Sequence, residues 1–325
     1  MHTARKATGL VVGAVLGAVI IAAVALAAPQ RTVFRTPMFP GGITPAFGSI
    51  WVTGHRNGVM YRIAPKTNRK TASISVADSL CGDPVVGAGK LWVSGCNVGA
   101  APYAGITTYE VDPKTNAVLR RIPGGVSAFG AGSVWAVSGT SILRIDPRSG
   151  IVLATIHVPG ANPAAITGWG MAGVADGSAW ALTDKTLVRI STATNTVTKV
   201  IPLPDLGNPV FATGLTSGSN IAVLDGKVWV AQYPGLYEID PKTNVATYTG
   251  VTIGPFSQDD EDPLIAANGS LWTRTTDSEV AQIGPDLKVQ HRYPAAGGGG
   301  PIAIAFGSLW VTNSGSDTTW RVPLT

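Results

Sequence analysis

Seven times the chain writes a glycine, then serine or lysine, then an aliphatic residue or alanine, then tryptophan. The tryptophans are Trp51, Trp92, Trp135, Trp180, Trp229, Trp272 and Trp310, spaced 41, 43, 45, 49, 43 and 38 residues apart. A period of that size, built from short apolar runs, predicts one four-stranded antiparallel sheet per repeat with the sheets arranged radially. The fold class that follows is all-β, a seven-bladed β-propeller. Blade three shows the plan. An inner strand over 126–131 turns at Gly132-Ser133, a second strand starts at Val134, and a third covers 141–145. The hairpin Asp146-Pro147-Arg148-Ser149-Gly150 then leads to an outer strand over 151–158. Proline presets φ early in such a turn, and a final glycine or asparagine supplies the left-handed residue that closes it. The hairpin recurs as Asp112-Pro113-Lys114-Thr115-Asn116 and Asp240-Pro241-Lys242-Thr243-Asn244. Degenerate copies are Ala64-Pro65-Lys66-Thr67-Asn68 and Ser191-Thr192-Ala193-Thr194-Asn195.

An indole at the start of a second strand is expected to wedge between neighbouring blades. Each ring buries ~150–250 Å², a gross stabilisation of ~4–6 kcal/mol before entropy is counted. A stacking platform for nucleic acid is excluded, because the aromatic positions recur at blade spacing without interleaved arginine and lysine. The net charge of +5 is also too mild for that role.

The last repeat lacks an outer strand, and the segment Thr32-Val33-Phe34-Arg35-Thr36 is an outer strand without a blade. Residues 32–36 are therefore expected to complete blade seven and join the two ends of the chain. Residues 31–325 shared among seven blades come to about 42 apiece, and closure leaves no long exposed sheet edge.

Arg5-Lys6 precede an uncharged run, Gly9–Ala28, long enough to cross a bilayer. Ala25-Leu26-Ala27 also reads as a small-residue cleavage site. Residues 1–30 are thus either a signal peptide or a signal anchor, with membrane contact through residues 9–28, and the domain 31–325 is expected outside the cytoplasm. The two cysteines, Cys81 and Cys96, fall at adjacent ends of two antiparallel strands of blade two. In an oxidising compartment they are expected to form a disulfide. Lys66, Lys114, Arg148, Lys242 and Lys288 sit in hairpins on one face, which is also where the leader would join the propeller. That arrangement suggests a basic face against anionic head groups.

Long loops on a rigid scaffold are usual binding sites. The two longest, Ser94–Ile106 and Leu203–Asn220, both fall on the opposite face. His55, Arg56, Asn97, Tyr103 and Asp277 are the ligand-binding candidates there. The acidic run Asp259-Asp260-Glu261-Asp262, with Asp83, Asp277 and Glu279 on the same face, offers oxygen ligands for Ca²⁺ or Mg²⁺. Asp259, Asp260 and Asp262 are its proposed metal ligands. No Gly-x-Ser-x-Gly nucleophile motif occurs, and Gly297–Gly300 opens no helix, so it reads as a flexible connector rather than a phosphate loop.

Trp310-Val311-Thr312-Asn313, Trp51-Val52-Thr53-Gly54 and Glu238-Ile239-Asp240-Pro241 resemble the YVTN-type β-propeller repeat proteins. That resemblance covers residues 32–325 and implies repeat type rather than activity. A more distant similarity is to the streptogramin B (virginiamycin B) lyase family, seven-bladed propellers that open cyclic depsipeptides by metal-assisted elimination. Where that family places histidine after proline, this chain has Pro301-Ile302 and Pro263-Leu264, and Gly300 stands at its glutamate. Elimination needs a base and an acid, and neither Ile302 nor Leu264 supplies one, so no catalytic residue is assigned. The expected function is an exported or membrane-anchored module that binds a small molecule, a cell-envelope component or a protein. A metal-dependent lyase or hydrolase of the streptogramin-lyase type is the alternative.

Overall fold

The computed structural model describes residues 31–96, 106–161, 169–183, 186–204, 221–232, 235–253 and 264–325. Their strands form seven four-stranded antiparallel sheets. Blades one to six occupy residues 40–75, 80–123, 125–157, 169–202, 221–252 and 264–294 in chain order. Blade seven is built from residues 302–323 and from the strand Thr32–Arg35. That N-terminal strand pairs with Thr318–Pro323 in the register Val33↔Trp320 and Phe34↔Thr319. The backbone N–H of Thr36 extends the ladder to Asp317 O at 3.0 Å. The closure expected from the sequence is therefore the one observed.

Each inner strand passes to its second strand through a two-residue turn with both φ values positive. The seven turns are Phe47-Gly48, Ala88-Gly89, Ala131-Gly132, Asp176-Gly177, Asp225-Gly226, Asn268-Gly269 and Phe306-Gly307. Two left-handed residues make the type I′ turn, whose twist matches that of the flanking strands. This geometry explains the glycine of the repeated motif. In the hairpins between third and outer strands, Asn68, Asn116, Asn195 and Asn244 take the left-handed position and Gly150 does so in blade three. The aspartate that opens three of these hairpins accepts backbone N–H bonds from its own turn. Asp112 takes those of Lys114 and Thr115 at 2.7 and 3.2 Å.

Three residues beyond each type I′ glycine, a tryptophan is inserted into the next blade. Trp51 packs with Leu80, Leu91, Val93 and Val111 of blade two. Trp92 packs against blade three and Trp135 against Ala179, Ala181, Val188 and Ile190 of blade four. The sequence runs on around the ring until Trp310 meets Ile43, Ile50, Val52 and Ile63 of blade one. All seven rings are buried. In six of them Nε1–H donates to the carbonyl five residues upstream, at 3.0–3.3 Å. Trp180 Nε1 has no such partner among the described residues.

The residue between glycine and this apolar stretch has a partner of its own. Where it is Ser49, Ser133, Ser178 or Ser308, the hydroxyl accepts from Nε of Arg62, Arg144, Arg189 or Arg321 on the third strand, at 2.8–3.0 Å. Each of those guanidinium groups lies 5.0–5.3 Å from the centre of its blade's indole, a cation–π distance. Its Nη1 reaches the hairpin of the following blade, donating to a backbone carbonyl at 2.5–2.9 Å. The asparagine side chain of the same hairpin also accepts, at 2.7–3.4 Å. Where the motif has lysine the charge is exchanged. Lys90 pairs with Asp112 at 2.5 Å, Lys227 pairs with Glu238 at 3.0 Å, and glutamate holds the arginine's place on the third strand. In blade two, Arg120 of the outer strand then takes over the clasp, pairing with Glu110 and donating to the hairpin carbonyls of Arg148 and Pro147.

Truncating one wedge leaves a cavity between two blades. Trp135→Ala is expected to lower the unfolding free energy by about 3–5 kcal/mol, read from urea denaturation. A loss below about 1 kcal/mol, the range of ordinary surface substitutions, would contradict the wedge role.

Candidate functional site

Loops from outer to inner strands share one face of the propeller with loops from second to third strands. On it the structure gathers residues from blades seven, one and two. Phe39 N–H donates to Asp317 Oδ1 at 2.7 Å, and Ser314 Oγ donates to Pro40 O at 3.0 Å, fastening blade seven to blade one. His55 Nδ1 lies 3.0 Å from Leu80 O. A carbonyl only accepts, so Nδ1–H is the donor of this bond. Ser79 Oγ donates back to His55 O. The rings of Phe39 and His55 are 5.8 Å apart, and the Arg56 guanidinium sits 4.6 Å over Phe39. Arg56 and Met38 are exposed while His55 is half-buried.

Cys81 and Cys96 form the expected disulfide, with Cα atoms 5.9 Å apart and Cys96 Sγ 3.9 Å from His55 Nδ1. It closes a loop of 15 residues, worth about 3 kcal/mol in the chain-entropy description. It also locks the second-strand end of blade two beside His55. Such a bond is favoured in oxidising compartments.

The other site residues named from sequence behave differently. Asn97, Tyr103, Asp259, Asp260 and Asp262 lie outside the described residues, as do residues 1–30. Asp277 belongs to blade six, one blade removed from His55 and Arg56, and is not part of their cluster. Its carbonyl accepts from Nη1 of the buried Arg274 at 2.7 Å, while Nε and Nη2 donate to Gly300 O and Thr312 O of blade seven at 2.8 and 2.7 Å. Arg274 thus holds the seam between blades six and seven. Glu279 pairs with Arg292 and accepts from Thr275 Oγ1. Among the described residues, the one close group of three metal-ligating side chains is His55, Cys81 and Cys96, and the disulfide occupies two of them. The Gly297–Gly300 run is more than a connector. Gly298, Gly299 and Gly300 have positive φ, and a Cβ on Gly300 would meet Thr312 Oγ1 at 2.6 Å. Glycine is needed there because the backbone packs against blade seven.

Asp83 proves to be a seam residue of the inner wall. Its Oδ1 accepts from Ile43 N at 2.6 Å, beside Thr44 Oγ1 donating to Pro84 O at 2.6 Å and Thr53 Oγ1 donating to Gly82 O at 3.1 Å. Withdrawal of the carboxyl from water raises its pKa to about 7, and the Ile43 N–H opposes that shift. Phe39, Ser79 and Asp317 carry no repeat signature and were not legible as site residues. Phe39 and Asp317 are 278 positions apart.

No protein-family model matches the chain, and no curated protein matches it. Solved structures do. BamB from Moraxella catarrhalis aligns at 14% identity and a TM-score of 0.57, covering 86% of this chain and 84% of that one. U3-55K aligns at 11% and 0.66, covering 91% and 100%. Kuenenia stuttgartiensis hydrazine synthase aligns at 12% and 0.65, covering 95% and 99%. At these identities the likeness is one of fold: the chain is a β-propeller. Among the described residues no helix is long and apolar enough to cross a membrane.

The raised Asp83 pKa carries a sign for stability. The folded state retains this proton to higher pH than the unfolded chain, whose aspartate releases it near pH ~4. The contribution is complete below pH ~4 and is lost as pH rises to about 7. Urea unfolding across this range should therefore show a decline with rising pH that Asp83→Asn flattens. An equal decline in both proteins would contradict the assignment.

Proposed function

We propose that this chain is an exported binding module, secreted or membrane-anchored. Its ligand is an anionic group, presented by a cell-envelope component, a protein or a small molecule, at the Arg56–His55–Phe39 cluster. The reading is carried by the placement of an exposed guanidinium on an aromatic ring, on loops that a disulfide and two inter-blade hydrogen bonds hold in place. A preorganised cation loses little freedom when it meets a carboxylate, which favours binding by a charge-assisted hydrogen bond. The disulfide and the leader sequence support export. The YVTN-type repeat pattern and the binding roles open to a propeller scaffold agree with this reading without naming a ligand.

The test is a thermal-shift and titration screen against acidic peptides and uronate-containing oligosaccharides. A hit should lose about tenfold or more in affinity with Arg56→Ala, matching the 1.5–3 kcal/mol of a hydrogen bond to a charged group. Lys66→Ala on the other face should leave it unchanged. Equal binding by the wild type and Arg56→Ala would remove the cluster from the function. Turnover of a lactone or depsipeptide that Asp260→Ala or Asp262→Ala abolishes would replace binding with metal-dependent catalysis.

A further inference from the structure

The face opposite the Arg56 cluster carries the seven type I′ tips, and their composition is not uniform around the ring. Blades seven and one present Phe306 and Phe47, blades two and three present alanine, and blades four and five present Asp176 and Asp225. Both phenylalanines are exposed, at 45% and 42%, and both sit at left-handed φ, 53° and 50°. A bulky residue in that conformation is a backbone outlier that glycine, asparagine or aspartate would relieve. Asn268 holds the same position in blade six at φ 52°. Nothing lies within 4 Å of a Cβ built on the neighbouring Gly48 or Gly307, so the tips stand clear of the body. Folding gives no reason to place aromatic rings there.

Charge follows the same division. The exposed hairpin cations Lys66, Lys114 and Arg148 stand in blades whose type I′ tips carry no carboxylate, whereas Lys242 shares blade five with the acidic tip Asp225 and Lys288 of blade six pairs with Asp286. The five hairpin cations lie on the face the sequence assigned them to, and the structure adds that the acidic tips on it, Asp176 and Asp225, are confined to blades four and five. A basic, aromatic sector thus stands beside one of mixed charge. The chain also joins the propeller in the first sector: Arg31, its guanidinium 3.9 Å over Trp320, precedes the strand that starts on this face in blade seven. Only Pro29 and Gln30 separate it from the uncharged run 9–28, roughly 10 Å of extended chain.

We propose that the blade seven to blade three sector of this face docks on an anionic lipid bilayer. Phe47 and Phe306 enter the interfacial layer, and the hairpin lysines and arginine meet lipid phosphates. A tether at residues 9–28 would reach the propeller through Arg31, in this sector; the sector's charge complements an anionic leaflet, and exposed aromatics are suited to the boundary between head groups and acyl chains. The acidic tips of blades four and five tilt away. The Arg56 cluster then points from the membrane toward its ligand, although the docking does not rest on that reading.

Hydroxyl-radical footprinting of the full chain, leader included, in nanodiscs tests this. Discs of phosphatidylcholine mixed with phosphatidylglycerol should lower labelling of Phe47 and Phe306 several-fold relative to detergent. Discs of phosphatidylcholine alone should do so less, and labelling of Val223 and Val245 in blade five should not change. The double variant Phe47→Asn/Phe306→Asn should melt at the same temperature or higher, since asparagine accepts the left-handed turn, yet lose protection of the 64–70 hairpin in anionic discs. Four results would each overturn the proposal. These are unchanged labelling on going from detergent to anionic discs, equal protection of blade five, protection that follows protein concentration in detergent, and a lower melting temperature of the double variant. The third would assign the face to a second copy of the chain, and the fourth would make the phenylalanines packing residues.

Discussion

An indole seated in the neighbouring blade is the contact on which the rest of this molecule depends. No blade can bury its own tryptophan. Trp51 needs Leu80, Leu91 and Val93 from blade two, and Trp310 needs Ile43, Ile50 and Val52 from blade one. The requirement is cyclic, so a linear stack would leave one ring in water and one apolar flank bare. Closure satisfies both at once, and it explains why the N-terminal strand crosses to the C-terminal blade. Phe34 on that strand stacks on Trp310, with ring centres 5.6 Å apart, so closing strand and closing wedge are in contact.

A second circle of polar contacts lies above the indoles. In six blades serine and arginine, or lysine and glutamate, exchange as pairs between second and third strands, while in blade six Ser270 accepts from Gln282 Nε2. An arginine left free by its serine reaches the next hairpin, while one partnered by lysine is replaced. The exchange is an electrostatic necessity. A lysine where Ser133 stands would confront Arg144, so both positions change together. At the seam between blades six and seven, no hairpin follows on that face, because the third and outer strands of blade seven, Thr318–Pro323 and Thr32–Arg35, are not consecutive in the chain. There the buried Arg274 links the blades from the opposite side.

Fold was legible in the sequence because its cause repeats. Seven glycine-to-tryptophan motifs gave blade number, boundaries near the observed ones and the orphan outer strand over 32–36, which forms Thr32–Arg35. The serine–arginine and lysine–glutamate pairing was equally present, at fixed spacing, and could have been read as interblade contacts. The site was far less legible because its residues break the repeat. His55 and Arg56 were named from their loop. Phe39 and Asp317 meet only because the ring closes, and Asp83 looked like a possible metal ligand until the fold set it against Ile43. Phe47 and Phe306 look like ordinary hydrophobic residues in the sequence. Only the turn geometry shows that they occupy exposed left-handed tips in adjacent blades.

Hydrogen exchange of the intact chain, followed by mass spectrometry, tests the closed ring most directly. Amides of residues 32–36 should exchange as slowly as those of residues 318–323 and of the six other outer strands, through one shared opening of the ring. Exchange of residues 32–36 at the rate of a free chain, with the blades still protected, would contradict closure and the cyclic wedge together.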